Sequence, residues 1–184
     1  GVEDKFDFIT AWHDADKGQN IENIVYGLLD DLQNKLIKLL GKFKFELDIA
    51  GILKITRSES KEKSIADLAN MFCNQIETAN KEVIKKEKNG ILLFIDEIDR
   101  VSVDSGVATF LKLSAEKLSR EGLTNVGFIC AGITGAIQNL EEDHASILRT
   151  FRDIPISRLT LGEASLILKL GFETAKYDYD PKVL

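Results

Sequence analysis

Histidine, cysteine and proline are scarce: two of each in 184 residues. A zinc site wants about four ligands with at least one closely spaced pair, and Cys73, Cys130, His13 and His144 contain no such pair. Metal held by Cys and His is therefore not expected. Both thiols sit among apolar neighbours, Met71-Phe72-Cys73-Asn74 and Phe128-Ile129-Cys130-Ala131, where a free cysteine behaves as a small core hydrophobe. Neither stands at a helix start beside basic residues, as an activated thiol would. No run reaches the roughly eighteen apolar residues of a membrane span, and no basic leader with an apolar run opens the sequence. A soluble, cytoplasmic protein without membrane contact is expected. Low-complexity tracts and internal repeats are missing too, and 44% hydrophobic residues against 29% charged suffice for the core of one ordinary domain. Basic excess is also lacking, since 24 Lys+Arg face 30 Asp+Glu for a formal net charge of −6. A surface that coats nucleic acid indiscriminately is thereby disfavoured.

What is present alternates. Phe6 to Trp12 alternates apolar and polar and then runs apolar, which reads as a strand; Phe8 and Trp12 on it read as core residues rather than stacking platforms for bases. Asn20 can cap a helix carrying Ile21, Ile24, Val25, Leu28, Leu29, Leu32, Leu36 and Leu39 at helical spacing up to Gly41. Phe43 to Ile55 suggests a short strand or hairpin, and Arg57 to Lys63 a charged linker. Ser64 with Asp67 resembles a capping box opening a second amphipathic helix from Ile65 to Ile84, whose basic end from Lys85 to Lys88 suits the helix dipole. The Lys81 to Lys88 run reads as a solvated face.

After Asn89-Gly90 comes Ile91-Leu92-Leu93-Phe94-Ile95, a continuous apolar run of the kind buried in parallel sheets, ending abruptly in Asp96-Glu97. A helix from Val107 to Arg120 and a second buried run from Val126 to Ala131 follow. A short amphipathic piece from Ile133 to Leu140, an acidic turn at Glu141-Glu142-Asp143, a last strand at Asp153-Ile154-Pro155-Ile156 and a helix from Glu163 to Phe172 complete the series. This βα alternation predicts an α/β fold, a parallel sheet with helices on both faces in three layers.

In open α/β sheets ligands bind outside the carboxyl ends of the strands, where Asp96-Glu97 falls. An acidic pair after a strand also serves simply as a solvated turn or as the cap of the next helix. Five apolar residues before it and Ile98-Asp99-Arg100 behind it match the Walker B pattern, in which an Asp holds Mg²⁺ and the following Glu orients the attacking water.

In order along the chain, Ile91 to Arg100 resembles Walker B, and Val126 to Thr134 resembles the next core strand with a polar sensor at its end. Arg149-Thr150-Phe151-Arg152-Asp153-Ile154-Pro155-Ile156 with Leu159-Thr160-Leu161-Gly162-Glu163-Ala164 resembles the passage into the lid of AAA+ and STAND ATPases. Over roughly residues 90 to 172 the chain is similar to archaeal-type AAA+ ATPases, including the origin-recognition-like group. The resemblance implies a P-loop NTPase-like core over 1–158 and the start of a helical lid over 159–184. It further implies ATP and Mg²⁺ as cofactors, Asp96 as metal ligand, Glu97 as catalytic carboxylate, Thr134 as sensor and Arg152 as a finger reaching a neighbouring subunit's nucleotide, with Arg149 as the next candidate. Homo-oligomers through the ATP sites follow from that arrangement. The client, DNA or protein, is not specified.

One departure is large. The Gly-rich turn ending in Gly-Lys-Ser/Thr that cradles phosphates occurs nowhere in these residues. In the family it follows a strand placed between the Walker B side of the sheet and the last strand. The start at Gly1, close to a strand and without an initiator Met, fits a core incomplete at its N-terminus, unable by itself to bind ATP tightly. The rival reading is an ATPase-like binding or scaffold module that has lost hydrolysis. A third is a helicase of DExD type, since Asp96-Glu97-Ile98-Asp99 fits that box, although Ala131-Gly132-Ile133-Thr134 matches its Ser-Ala-Thr-like partner poorly.

Overall fold

The computed structural model describes residues 6–41, 47–48, 65–133 and 135–177. The protein is α/β. Its elements run β1 (Phe8–Asp14), α1 (Ile21–Leu40), α2 (Ile65–Lys85), β2 (Gly90–Asp96), α3 (Val107–Arg120), β3 (Val126–Cys130), α4 (Ala136–Asp143) and α5 (Leu161–Ala175), with short 3₁₀ turns at Ile98–Arg100, Val103–Ser105 and Ile147–Arg149. The expected capping Ser64, the linker from Arg57 to Lys63 and, apart from Leu47 and Asp48, the strand or hairpin from Phe43 to Ile55 lie outside the described residues. The chain divides into two compact units, Gly1–Arg152 and Asp153–Leu184.

In the first unit the three strands pair in the order β1-β2-β3, all parallel. The register sets Ala11 beside Leu93 and Leu93 beside Phe128. Alternation therefore gives one face Ile9, Ala11, His13, Ile91, Leu93, Ile95, Val126, Phe128 and Cys130. Helices cover that face. Phe72 of α2 meets Phe110 of α3 edge-on with centroids 5.2 Å apart and Phe128 at 6.0 Å, and Ile91, Leu93 and Ile95 are buried beneath them. The opposite face carries Thr10, Trp12, Leu92, Phe94 and Ile129. Among the described residues no helix packs over its aromatic centre, with Trp12 47% and Ile129 42% exposed.

Among the described residues of the first unit, helices are thus seen on one face only. Two successive steps in the same direction, β1 to β2 and β2 to β3, joined by right-handed crossovers, bring every crossover helix to one face. Trp12 is corrected by the same geometry: it lies on the open face, where it stacks on Phe94 with ring centroids 4.1 Å apart and planes 3° from parallel. The outer edge of β1 is sealed from α1, whose Asp31 accepts the Trp12 N–H at 2.8 Å and whose Lys35 donates to Thr10 Oγ1 at 3.1 Å. Such sealing removes donors that would otherwise recruit another strand.

Helix α1 begins where Asn20 Oδ1 accepts the Asn23 N–H at 3.0 Å and buries Ile24, Val25, Leu28, Leu29, Leu32 and Leu36. At the amino end of the sheet Asn80 and Asn125 exchange amide hydrogen bonds of 3.1 and 2.9 Å, and the Asn125 carbonyl accepts from Ile91. Gly90 is required there: a Cβ would come within 2.0 Å of that carbonyl oxygen, and its φ is +154°.

Two further expectations are corrected. Glu141-Glu142-Asp143 is the last turn of α4 rather than a turn after it. The helix continues because Asp143 finds a partner outside it, its carboxylate accepting the Ala108 N–H at 2.7 Å. That bond caps α3, whose own N-cap residue, Gly106, has no side chain to do so. Second, Asp153 to Ile156 forms no strand. A strand needs a neighbour's edge for its backbone groups, and Pro155 withdraws one donor. Ile154 and Ile156 stand 74% and 93% exposed.

Asp143→Ala should leave the buried Ala108 N–H without its acceptor, lowering unfolding free energy by about 1–3 kcal/mol, whereas Asp143→Asn should restore most of it. Phe72→Ala, which empties the junction of α2, α3 and β3, should cost about 3–5 kcal/mol. Urea denaturation of the three variants checks both values.

Candidate functional site

Asp96 ends β2, and the chain turns at once. Its carbonyl accepts the Ala15 N–H at 2.9 Å and its Oδ1 accepts the Glu97 N–H at 2.8 Å. Among the described residues its second carboxylate oxygen has no protein partner. Directly opposite in register stands Asp14, the last residue of β1. Both lie on the open face by alternation, so two carboxylates and the Trp12–Phe94 stack share it. The sequence pattern ends β1 at Trp12, and the polar His13-Asp14 pair hides a strand that runs two residues further, so Asp14 carries no signal of its own.

Glu97 occupies the left-handed region at φ 56°, ψ 33°, a conformation that costs a non-glycine residue about 1 kcal/mol or more. The turn reverses β2 into the 3₁₀ turn at Ile98–Arg100, closed by Arg100 N–H donating to the Glu97 carbonyl at 2.9 Å. The Glu97 carboxylate is paired with Arg100, Nε to Oε2 at 2.9 Å, both side chains being about half exposed. In the sequence Arg100 stands only as the last residue of the motif. Its role as a partner follows from the i, i+3 spacing on a 3₁₀ turn.

Behind the pair, Ile98 N–H donates to the Ala131 carbonyl at 3.0 Å and Asp99 Oδ1 accepts from Ile133 N–H at 3.0 Å. The acidic turn is thereby fastened to the loop leaving β3. Thr134, the expected sensor, lies outside the described residues. Arg149 closes the 3₁₀ turn at Ile147–Arg149 and Arg152 ends the first unit; both are exposed. Neither forms an ion pair among the described residues.

Neither cysteine has the character of a nucleophile. Burial pushes the Cys73 thiol up to about 11, and it donates to the Ser114 carbonyl at 3.6 Å. Burial likewise pushes Cys130 up to about 12. Both stay protonated at neutral pH.

In the second unit α5 opens with Thr160, whose hydroxyl accepts the Glu163 N–H at 3.3 Å while Glu163 Oε2 accepts the Thr160 N–H at 2.7 Å. Those bonds from Thr160 hold the Glu163 carboxyl below its ordinary range. The Leu-Thr-x-x-Glu-Ala spacing therefore has a local cause, a capping box.

The acidic turn can do two kinds of chemistry. Asp96 offers a hard oxygen ligand. Among the described residues no group of three or more His, Cys, Asp and Glu is gathered to cage a metal. Glu97 offers a second carboxylate one residue on, aimed separately by its left-handed backbone.

Comparison with known proteins returns no matching family model, no matching curated protein and no matching solved structure.

Glu97→Gly should remove the left-handed strain and raise unfolding free energy by about 1 kcal/mol. Arg100→Ala, which breaks a half-exposed pair, should lower it by less than about 1 kcal/mol. If denaturation shows Glu97→Gly to be the less stable protein, the Arg100 contact outweighs the backbone strain.

Proposed function

We propose that these residues belong to an Mg²⁺-dependent ATPase of AAA+/STAND character, one that couples ATP binding and hydrolysis to conformational change in a larger protein. The observation that carries this reading is the Asp96-Glu97 pair at the carboxyl end of the central strand of a parallel sheet, with a free Asp96 oxygen and a strained Glu97. The order β1-β2-β3 supports it, since the acidic strand then lies beside the strand whose exit loop would carry the sensor. Among the described residues no strand pairs with the outer edge of β3, which is the edge that a phosphate-cradle strand would occupy.

Mg²⁺ and ATP would bring the electrophilic phosphorus and the cation that neutralises its oxygens. Asp96 would hold the cation through its free carboxylate oxygen. Glu97 would accept a hydrogen bond from the attacking water and fix its line of approach. Its pairing with Arg100 is half exposed and costs little to open, at most about 1 kcal/mol. Thr134 would serve as the polar sensor, and Arg152 would reach a neighbouring subunit's phosphate and stabilise developing charge. Residues 159–184 would begin the lid.

The scaffold reading draws its support from the missing Gly-Lys-Ser/Thr. The helicase reading is weakened by Asp99, whose carboxylate is committed to Ile133 N–H.

The 184 residues alone should bind Mg-ATP weakly. A calorimetric Kd below about 10 μM, on the order of −7 kcal/mol, overturns that expectation. In the full-length polypeptide, Glu97→Gln should cut turnover about 10²-fold or more while ATP binding persists, and Asp96→Asn should weaken binding that depends on Mg²⁺. Turnover above half of wild type in Glu97→Gln sinks the catalytic assignment, and a wild-type polypeptide that binds but does not hydrolyse supports the scaffold.

Arg152→Ala subunits, inactive alone, should regain hydrolysis when mixed with Glu97→Gln subunits, because one mixed interface joins an intact site to an intact finger. Full turnover by Arg152→Ala at every protein concentration removes the finger from Arg152.

A further inference from the structure

We infer that Asp99 is a positioning residue: it locks the turn bearing Asp96 and Glu97 to the loop leaving β3, so that the carboxylates and whatever that loop presents move as one body. The inference rests on the ATPase reading for its catalytic consequence, but the lock itself is a property of the fold.

Regular pairing between β2 and β3 ends at Ile95 and Cys130, yet the hydrogen bonds do not stop there. Ala131 N–H donates to the Ile95 carbonyl at 2.9 Å, and Ile98 N–H donates to the Ala131 carbonyl at 3.0 Å. The next link is supplied by a side chain, Asp99 Oδ1 accepting from Ile133 N–H at 3.0 Å. Between the last two links lies Gly132, and it is closely surrounded. A Cβ there would come within 2.9 Å of Asp99 Oδ1, Ile98 Cγ2 and Ala136 Cβ, inside van der Waals distance of all three. Three successive links and one contact without room for a methyl group hold the two loops together.

The position of Asp99 explains why a side chain is needed. The 3₁₀ turn at Ile98–Arg100 directs its backbone groups along its own axis, Arg100 N–H bonding back to the Glu97 carbonyl, so the backbone of residue 99 cannot continue the ladder. A carboxylate one bond removed can. Ile133 is exposed, so burial does not hold its amide in place, and without Asp99 that amide would bond to water and the loop would be released beyond Ala131. Glu97 lies two residues before Asp99, so loosening this tie displaces the catalytic carboxylate relative to the β3 loop. Misplacement of about 1 Å is enough to cost up to 10²-fold in rate.

The test has two arms. In the 184-residue protein, NMR hydrogen exchange should show the Ile133 amide exchanging at least about tenfold faster in Asp99→Ala than in wild type. In Asp99→Asn, whose side-chain oxygen still accepts, it should exchange near the wild-type rate, and Gly132→Ala should resemble Asp99→Ala. In the full-length polypeptide, Asp99→Ala should lower kcat about ten- to a hundredfold with KM for Mg-ATP within about twofold, and Asp99→Asn should restore kcat. An Ile133 amide that exchanges equally in wild type and Asp99→Ala overturns the lock whatever the kinetics show. Faster exchange with unchanged kcat overturns the positioning role. A wild-type polypeptide that hydrolyses no ATP overturns the ATPase reading and the catalytic half of this inference, leaving exchange to decide the lock by itself.

Discussion

Everything in the first unit depends on the burial of one face of β2. Ile91, Leu93 and Ile95 point beneath α2 and α3, and the neighbours they demand in register, Ile9 and Ala11 on one side and Val126, Phe128 and Cys130 on the other, form a single apolar floor, with His13 at its end bonded to Gln19. Because the chain steps twice in the same direction across the sheet, that floor receives all the crossover helices. Among the described residues of the first unit, no helix covers the aromatic stack and the carboxylates of the other face. Where the site lies is thus a consequence of where the core lies: a strand that alternates toward the helices at odd positions must present Leu92, Phe94 and Asp96 to the far side.

The two ends of β2 are held by different means. At the amino end a neutral amide pair, Asn80 with Asn125, and a glycine without room for a side chain fix the start of the β2–β3 register. A charged pair stands beside them, Lys88 Nζ with Asp7 Oδ1 at 2.5 Å, and the Asn89 N–H donates to the Asp7 carbonyl at 2.9 Å. At the carboxyl end the fastening is by Asp96 to Glu97, Glu97 to Arg100 and Asp99 to Ile133, all involving carboxylates, around a residue in left-handed conformation. Strain of that kind persists where the surroundings over-determine it, and it gathers at functional sites.

How much of this could be read from the residues varies with how local the cause is. Helix α1 was legible because Asn20 caps it and Gly41 ends it, and the apolar spacing between them is unambiguous. β2 was legible because five apolar residues in a row leave few alternatives next to Asn89-Gly90. The sheet's uncovered face was not, since amphipathic periodicity tells which side of a helix is buried but not which side of a sheet it covers. The same gap concealed the exposure of Trp12, an aromatic on an alternating strand that periodicity assigns to the core. The end of α4 was missed because Glu141-Glu142-Asp143 looks like a solvated turn until Ala108, 35 residues earlier in sequence, supplies a donor for Asp143. For the site, Asp96 and Glu97 were marked by the break from apolar run to acid, whereas Asp14, Arg100 and Asp99 owe their roles to register and turn geometry that no single-sequence pattern encodes.

The electrostatics of the open end bear on which functional reading the residues favour. Asp14, Asp96 and Glu97 bring three carboxylates to the ends of two adjacent strands, with Arg100 the one cation paired among them in the described residues. A triphosphate approaching this end meets charge of its own sign, which within a few ångströms opposes binding even in water. The carboxylates therefore cannot be the source of nucleotide affinity; on the proposed reading a cation would stand between them and the phosphates, and other groups would hold the phosphates from the far side. That is the division of labour of a two-part nucleotide site, in which one strand end supplies metal ligand and water-orienting base and a separate loop supplies backbone N–H donors and a lysine. Left-handed acids also stand near the amino ends of the strands, Asp7 and Glu87 at φ 60°, so the backbone of Glu97 does not by itself choose between the readings; its place beside Asp96 at the carboxyl end of β2 is what the proposed ATPase reading rests on. Among the described residues the second oxygen of Asp96 has no protein partner, and on the proposed reading it is this oxygen, rather than the strain at Glu97, that a cation brought to the carboxyl end of the sheet would use.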